Sequence, residues 1–432
     1  MQSWGGTPPL IIERGEGCYL IDIEGRHYLD GVSSLWVTVH GHRCAEIDEA
    51  VRAQLGRMAH STLLGLSHPP AIELAAELAS LAPEGLTRVF YSDSGSTAVE
   101  VALKMAFQYW QLRGRPAKRH FIALREAYHG DTLGAVSVGG IELFHRIFHP
   151  LLFDVLRVAA PHAYRCAAEP SGHGPEACAA HCLAELAELL AARSPDLAAL
   201  ILEPRVQGAA GMLVHPPGYL AEVARLCRAH QVLLICDEVA TGFGRTGPMF
   251  SCQAEDVRPD LLALAKGLTG GYLPLAATLA TEEIYEAFLG EKERTFFHGH
   301  TYTGNPLACV AALASLQRMR DRQLLPWAEA RAVTLSRLLA EQLASHPAVG
   351  QIRQLGLMVG VELVADRASR RPYPPALALG ARVCQAARAH GVLLRPLGDV
   401  LVLMPPLAIT DDQLGHLVSA ARQALDAVLS GL

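Results

Sequence analysis

Apolar residues recur at three- and four-residue spacing over residues 72–81, 98–111, 182–192 and 220–230. That is the period of a helix burying one face. Between these stretches lie short, largely apolar runs at 88–91, 198–202 and 232–236, which suit strands covered on both sides. Strand and helix in alternation predict an α/β fold, with a mostly parallel sheet between layers of helix. The start of the chain differs. Residues 15–26 alternate polar and apolar positions about a glycine-rich turn, the pattern of hairpins. Toward the other end the pattern predicts a helix over 376–390, a strand over 392–396 and a closing helix over 411–429. Segments 161–175 and 366–375 predict linkers. The chain therefore divides into a large domain, 46–315, and a smaller α/β domain made from both ends, 1–45 and 316–432.

Composition narrows the class. In 432 residues, 50% hydrophobic and 19% charged, there is ample material for a large core and too little charge for a disordered chain. A net charge of −6 without a basic stripe gives no footprint for nucleic acid. No apolar run approaches the ~18 residues that cross a bilayer. The first 12 residues lack a signal peptide's basic and apolar segments, so a cytoplasmic protein is expected. The ten scattered cysteines then read as reduced thiols filling the core. Cys166, His173, Cys178, His181 and Cys182 lie close together, but without paired Cys-x-x-Cys knuckles they predict a loop running into a helix and no metal.

Only four of the 37 basic residues are lysines. Lys118 and Lys292 sit in charged stretches that should solvate them, and Lys104 should face solvent or an acidic neighbour from its helix. Lys266 is the exception, placed between the apolar run 261–265 and a flexible Gly-rich segment. Burial there lowers an amine's pKa toward the neutral, nucleophilic form.

Two further features could serve such an amine. Ser92-Asp-Ser-Gly-Ser-Thr97 lies between a predicted strand and a helix, where free N–H groups and the helix dipole suit a phosphate; a plain N-cap is the alternative. Asp237 is the first polar residue after the run 232–236, at the strand end where α/β proteins bind ligands. Its carboxylate would hold a protonated pyridine nitrogen or pair with a nearby arginine such as Arg245. Gly242-Phe-Gly-Arg-Thr-Gly247 also fits the dinucleotide fingerprint, but it follows the strand too late and opens no helix.

The strings Asp237-Glu-Val-Ala-Thr-Gly-Phe-Gly-Arg-Thr-Gly and Leu264-Ala-Lys-Gly-Leu-Thr-Gly-Gly resemble those of class III aminotransferases, pyridoxal-phosphate enzymes of fold type I. A narrower likeness, to the biotin-pathway members of that class, runs from about residue 15 to the end. It rests on Ser33-Ser-Leu-Trp, Asp93-Ser-Gly-Ser-Thr, Tyr128-His-Gly-Asp-Thr and Glu203-Pro-Arg-Val-Gln-Gly, with His298-Gly-His-Thr-Tyr-Thr-Gly-Asn-Pro, Arg395-Pro-Leu-Gly and Met404-Pro-Pro.

The resemblance implies the following roles. Lys266 forms the Schiff base with pyridoxal 5'-phosphate and carries protons. Asp237 holds the ring nitrogen, Gly95 and Ser96 the phosphate, and Tyr128 stacks on the ring beside the substrate. Thr301, with His300, reaches the phosphate in a neighbouring subunit, so a homodimer is implied. Trp36 and Gly299 contact substrate, and Arg395 pairs with the carboxylate of a keto acid. The implied reaction moves an amino group from S-adenosylmethionine to 8-amino-7-oxononanoate, giving 7,8-diaminononanoate.

Two departures bear on the donor. The family's Trp-His-Pro-Tyr segment is missing ahead of Met1-Gln-Ser-Trp, so either the start is truncated or the donor site is built differently. His300 also stands where proline is common. Lysine as donor, or another ω-aminotransferase acting on ornithine, 4-aminobutyrate or a diamine, stays open. A non-catalytic binding protein on the same fold is the rival of a different kind.

Overall fold

The computed structural model describes residues 9–166 and 174–431. The expectations for the first eight residues, for His173 and for the middle of the linker at 161–175 lie outside the described residues. The centre is a seven-stranded sheet in the spatial order Leu86–Ser92, Ala276–Thr281, Leu261–Leu264, Leu233–Asp237, Leu197–Leu202, His120–Leu124, Val155–Val158. Only Ala276–Thr281 runs antiparallel to its neighbours; the other pairings are parallel.

The apolar runs are continuous because both faces are covered. Successive side chains of a strand point to opposite faces. In Leu197–Leu202, Ala199 and Ile201 pack with Val99, Ala102 and Ala106 of the helix Gly95–Leu112. Leu200 and Leu202 belong instead to the cluster with Leu186 and Leu190 of Pro175–Arg193 and Val223 of Tyr219–Ala229. Each such fully buried Leu or Ile contributes about 1.5–3 kcal/mol.

Local chemistry sets the helix ends. Pro69–Leu81 begins three residues before its periodic stretch because the His68 side chain accepts from the Ala71 N–H and proline fits the first turn. The predicted helix at 376–390 is broken into a short 3-10 turn, Leu379–Ala386 and a second 3-10 turn, Ala387–His390. A left-handed Ala378 (φ 44°) interrupts its start, and Gly391 (φ 69°) ends it. The predicted strand at 392–396 splits as well. Val392–Leu393 joins Ile12–Glu16, Tyr19–Asp22 and His27–Asp30 in one sheet, pairing parallel with His27–Asp30. Arg395–Leu397 forms the edge of another, with Val349–Leu355, Met358–Leu363 and Val400–Leu403. The chain's two ends therefore meet in one sheet.

Lys118, expected to be solvated, is buried. Its Nζ donates to the carbonyls of Ser194 (2.8 Å), Leu197 (2.9 Å) and Gln231 (2.7 Å) and lies 4.5 Å from the Trp110 ring centroid. The ammonium satisfies carbonyls in the turns that lead into two strands, which the charged neighbours in sequence could not reveal. Among the described residues, no helix is long and apolar enough to cross a membrane. Nor does any group of three or more His, Cys, Asp or Glu there suit a metal ion. Cys166, Cys178 and Cys182 are buried, whereas His181 is exposed.

Candidate active site

Three strands of the large sheet end at one edge, and the first residues past their apolar runs carry the chemistry. Glu203 follows Leu197–Leu202, Asp237 closes Leu233–Asp237, and Lys266 comes two residues after Leu261–Leu264. They open on a cavity of about 600 Å³ that Trp36, Gly95, Ser96, Tyr128 and Arg395 also line. Seven of the ten site residues expected from the sequence converge here: Trp36, Gly95, Ser96, Tyr128, Asp237, Lys266 and Arg395.

Lys266 adopts a left-handed backbone (φ 45°), a costly conformation for a lysine. Its Nζ lies 4.9 Å from the Trp36 ring centroid. Burial pushes the amine's pKa down, and the carboxylates of Asp237 and Glu203 oppose that shift. The balance favours a more accessible neutral amine than a solvated lysine offers.

Asp237 does not pair with Arg245. Its Oδ2 accepts from His129 Nδ1 at 2.7 Å and its Oδ1 from the Val239 N–H at 3.0 Å. Arg245 is buried elsewhere, donating to the Thr38 carbonyl at 2.7 Å and to Ser33 Oγ at 2.9 Å. It fastens the turn 242–247 to the segment carrying Trp36, and only a short 3-10 turn, Ser251–Glu255, follows, against the dinucleotide alternative. Glu203 accepts from the N–H groups of Tyr128 (3.2 Å) and Gly208 (2.8 Å). Burial pushes its carboxyl up to about 7.

The helix Gly95–Leu112 points its first turn at the cavity. Ser94 caps it by accepting from the Thr97 N–H, and Thr97 caps back in return. The first N–H groups of a helix have no partner inside it, so this end suits an anion. Space is kept by two glycines. A Cβ on Gly95 would lie 2.6 Å from Val239 Cγ1, and one on Gly130 (φ 121°) 2.0 Å from Ser96 Oγ. Ser96 Oγ accepts from the Asp131 N–H at 3.0 Å. The Tyr128 hydroxyl donates to Asp131 Oδ2 at 2.9 Å, tying the aromatic wall to the same loop.

Gly299, His300 and Thr301 are not brought in. They are exposed on the protomer surface and do not line the cavity. His300 Nε2 approaches only the rim, 3.6 Å from Asp93 Oδ1. Lys104 is exposed, as expected, but its partner is an imidazole: Nζ lies 2.8 Å from His298 Nδ1.

His129 and Glu203 had no role in the sequence reading. Glu203 carries the same signal that singled out Asp237, a carboxylate directly after a buried strand. His129 had none, because its contact with Asp237 spans 108 residues. Phe144 on the cavity wall was likewise invisible.

An aromatic aldehyde with a ring nitrogen and a phosphate needs an amine, an acid, an anion cradle and flat walls. Those groups line one cavity. Two buried polar atoms on its lining, Trp36 Nε1 and His129 Nε2, have no hydrogen-bond partner among the described residues. Pyridoxal phosphate therefore fits the residues present.

Comparison with known proteins agrees. Residues 1–425 match the family model described as aminotransferase class III. A relative from Nitratidesulfovibrio vulgaris, named adenosylmethionine-8-amino-7-oxononanoate aminotransferase, is 56% identical over 99% of this chain and 79% of its own. The crystal structure of a protein of the same name from Methanocaldococcus jannaschii superposes with a TM-score of 0.93 at 44% identity, covering 99% of this chain and 95% of that one. An amine transaminase from an uncultivated Pseudomonas species, solved in its PLP-bound form, gives 0.94 at 39% identity over 98% and 97%. The chain belongs to the class III aminotransferases, and its cofactor is pyridoxal phosphate.

Proposed function

We propose that the enzyme transfers an amino group from S-adenosylmethionine to 8-amino-7-oxononanoate, giving 7,8-diaminononanoate for biotin synthesis. One observation carries the choice of acceptor. Arg395 opens on the same cavity as Lys266, with the apolar Trp36, Phe144 and Leu397 also on its lining. A keto acid with a long aliphatic chain can hold its carboxylate on the guanidinium and lay its chain on the apolar wall. A planar guanidinium suits a carboxylate through two parallel hydrogen bonds. The activity stated in the relatives' names supports the same reading.

The bound cofactor supplies a carbonyl carbon for the amine and an electron sink. Asp237 would hold its ring nitrogen, Gly95 and Ser96 its phosphate, and Tyr128 one face of its ring. Lys266 is the attachment point and the proton carrier. Its Nζ, kept toward the neutral form by burial, takes the proton from the amine-bearing carbon of the donor and delivers one to the acceptor carbon. His129 keeps the Asp237 carboxylate oriented, and the buried walls exclude water.

The working form is taken as a cytoplasmic homodimer in which Gly299, His300 and Thr301 reach the neighbouring site. Phe297 and Tyr302, beside them, are 71% and 65% exposed in the protomer, which supports a covered surface there. The parallel pairing of Val392–Leu393 with His27–Asp30 supports one small domain built from 1–45 and 316–432 around the large domain 46–315.

The test is a half-reaction screen. Holoenzyme mixed with S-adenosylmethionine should convert its visible absorption to that of the aminated cofactor. Lysine, ornithine and 4-aminobutyrate should not. Conversion by 4-aminobutyrate alone would reject the biotin reading. Borohydride should bleach the chromophore and leave the label on Lys266.

A further inference from the structure

A second cavity, of about 570 Å³, lies at the opposite edge of the large sheet, where the strands Leu233–Asp237 and Leu261–Leu264 begin. Its lining carries five guanidiniums, those of Arg113, Arg115, Arg228, Arg258 and Arg294, against two carboxylates, Asp260 and Glu283. The partners of these groups decide what the cavity presents. Arg258 is paired with Glu84 at 2.6 Å. Arg115 donates to Gln231 Oε1 at 2.8 Å, and Arg294 to the Ala287 carbonyl at 2.9 Å, both neutral acceptors. Among the described residues neither Arg113 nor Arg228 has a carboxylate oxygen within 4.0 Å, although Arg228 is close enough to Asp260 to act on its charge.

Both acids are engaged by neutral donors within the protein. Glu283 Oε1 takes the Tyr109 hydroxyl at 2.6 Å, and Asp260 Oδ2 takes the Leu234 N–H at 2.7 Å. Burial, with Glu283 nearby, pushes the Asp260 carboxyl up to about 6, while the Arg228 guanidinium pulls it down. Beneath the cavity, the Lys118 ammonium stands 4.5 Å from the centroid of Trp110, another lining residue. In a chain of net charge −6, five guanidiniums against two carboxylates are gathered around one concave site. Several guanidinium groups converging from separate elements can share the several oxygens and the multiple charge of phosphate groups. The volume falls within the range of small-molecule sites.

We propose that this cavity binds a phosphate-bearing small molecule, at a site separate from the cofactor's phosphate cradle. Arg113, Arg115 and Arg228 are the principal contacts, and Arg294 closes the far wall.

Titration calorimetry of the holoenzyme with inorganic pyrophosphate at low ionic strength tests it. One saturable site per chain is expected, weakened at least tenfold in the double variant Arg113→Gln/Arg228→Gln. Binding should be unchanged in Arg395→Ala, which removes the cationic side chain of the catalytic cavity. Arg113 and Arg228 are exposed, so the double variant should fold; Arg228→Gln alone should still weaken binding at least threefold. Absence of saturable binding would overturn the site. So would binding unaffected by the double variant, or lost in Arg395→Ala.

Discussion

At the scale of the residue, the catalytic cavity is a set of buried ionisable groups that shift one another. Asp237 is buried, and among the described residues only an imidazole and an amide N–H hydrogen-bond to it. Asp237→Asn would keep the shape and remove the charge that holds a protonated ring nitrogen. A charge-assisted bond is worth about 1.5–3 kcal/mol, so turnover should fall by roughly 10- to 200-fold. Single-turnover kinetics should show the loss in the chemical step.

Glu203 gives a test that does not depend on activity. Its carboxyl rises from an ordinary 4.5 to about 7 on folding, so the folded chain holds its proton more tightly than the unfolded one. The stability tied to that proton is full below pH 4.5 and is lost as pH rises through about 7. Glu203→Gln should flatten that part of the fall in melting temperature of the cofactor-free protein between these limits. An unchanged slope would reject this reading of Glu203. Position after an apolar strand was enough to mark Asp237 and Lys266 in the sequence. The same rule applied to Glu203 would have found it, whereas His129 becomes visible only when the chain is folded.

At the scale of the element, the helix Gly95–Leu112 does two jobs: it offers its first turn to an anion and buries one face on the sheet. The loop facing that turn is held open by Gly130, whose backbone is left-handed (φ 121°). Gly130→Ala would drive a Cβ to within 2.0 Å of Ser96 Oγ. Strain of this kind costs about 1–3 kcal/mol, roughly 5- to 150-fold in affinity. Absorbance titration of the cofactor-free protein with pyridoxal phosphate should show weaker binding. Three of the four helices with a strong apolar period were legible to within three residues, because burial of one face produces that period directly; the fourth starts seven residues early, at Pro175. The stretch 376–390 was not, since its breaks come from backbone conformations at Ala378 and Gly391 that periodicity does not report.

At the scale of the molecule, buried polar contacts tie the C-terminal sheet to the rest. Arg353, on Val349–Leu355, donates to the Gly211 carbonyl at 2.8 Å and pairs with Glu362, whose Oε1 also accepts from Arg165 Nε at 2.6 Å. Arg353→Leu leaves Glu362 with one cation and strands the Gly211 carbonyl. Breaking a buried pair costs about 3–5 kcal/mol, and the remaining Arg165 puts the expected loss near the lower end. The midpoint of urea unfolding should fall accordingly. Sedimentation should give twice the 46.4 kDa chain mass, and Thr301→Ala should weaken cofactor retention without separating the subunits. A monomeric enzyme that retains full activity would remove the role given to Gly299, His300 and Thr301.

Sequence alone determined the α/β alternation, the carboxylate and amine at strand ends, a helix start suited to an anion, and the family likeness. All of these follow from local period, from the residue that ends an apolar run, or from a contiguous string. Only the tertiary structure decided that Asp237 bonds to His129 and not Arg245, that Lys118 is buried on carbonyls, and that arginines from distant segments surround a second cavity. Those outcomes depend on which surfaces meet across long stretches of chain, 76 residues for Lys118 and Ser194 and 108 for His129 and Asp237. That is set by packing of the whole core, and no short window of sequence carries it.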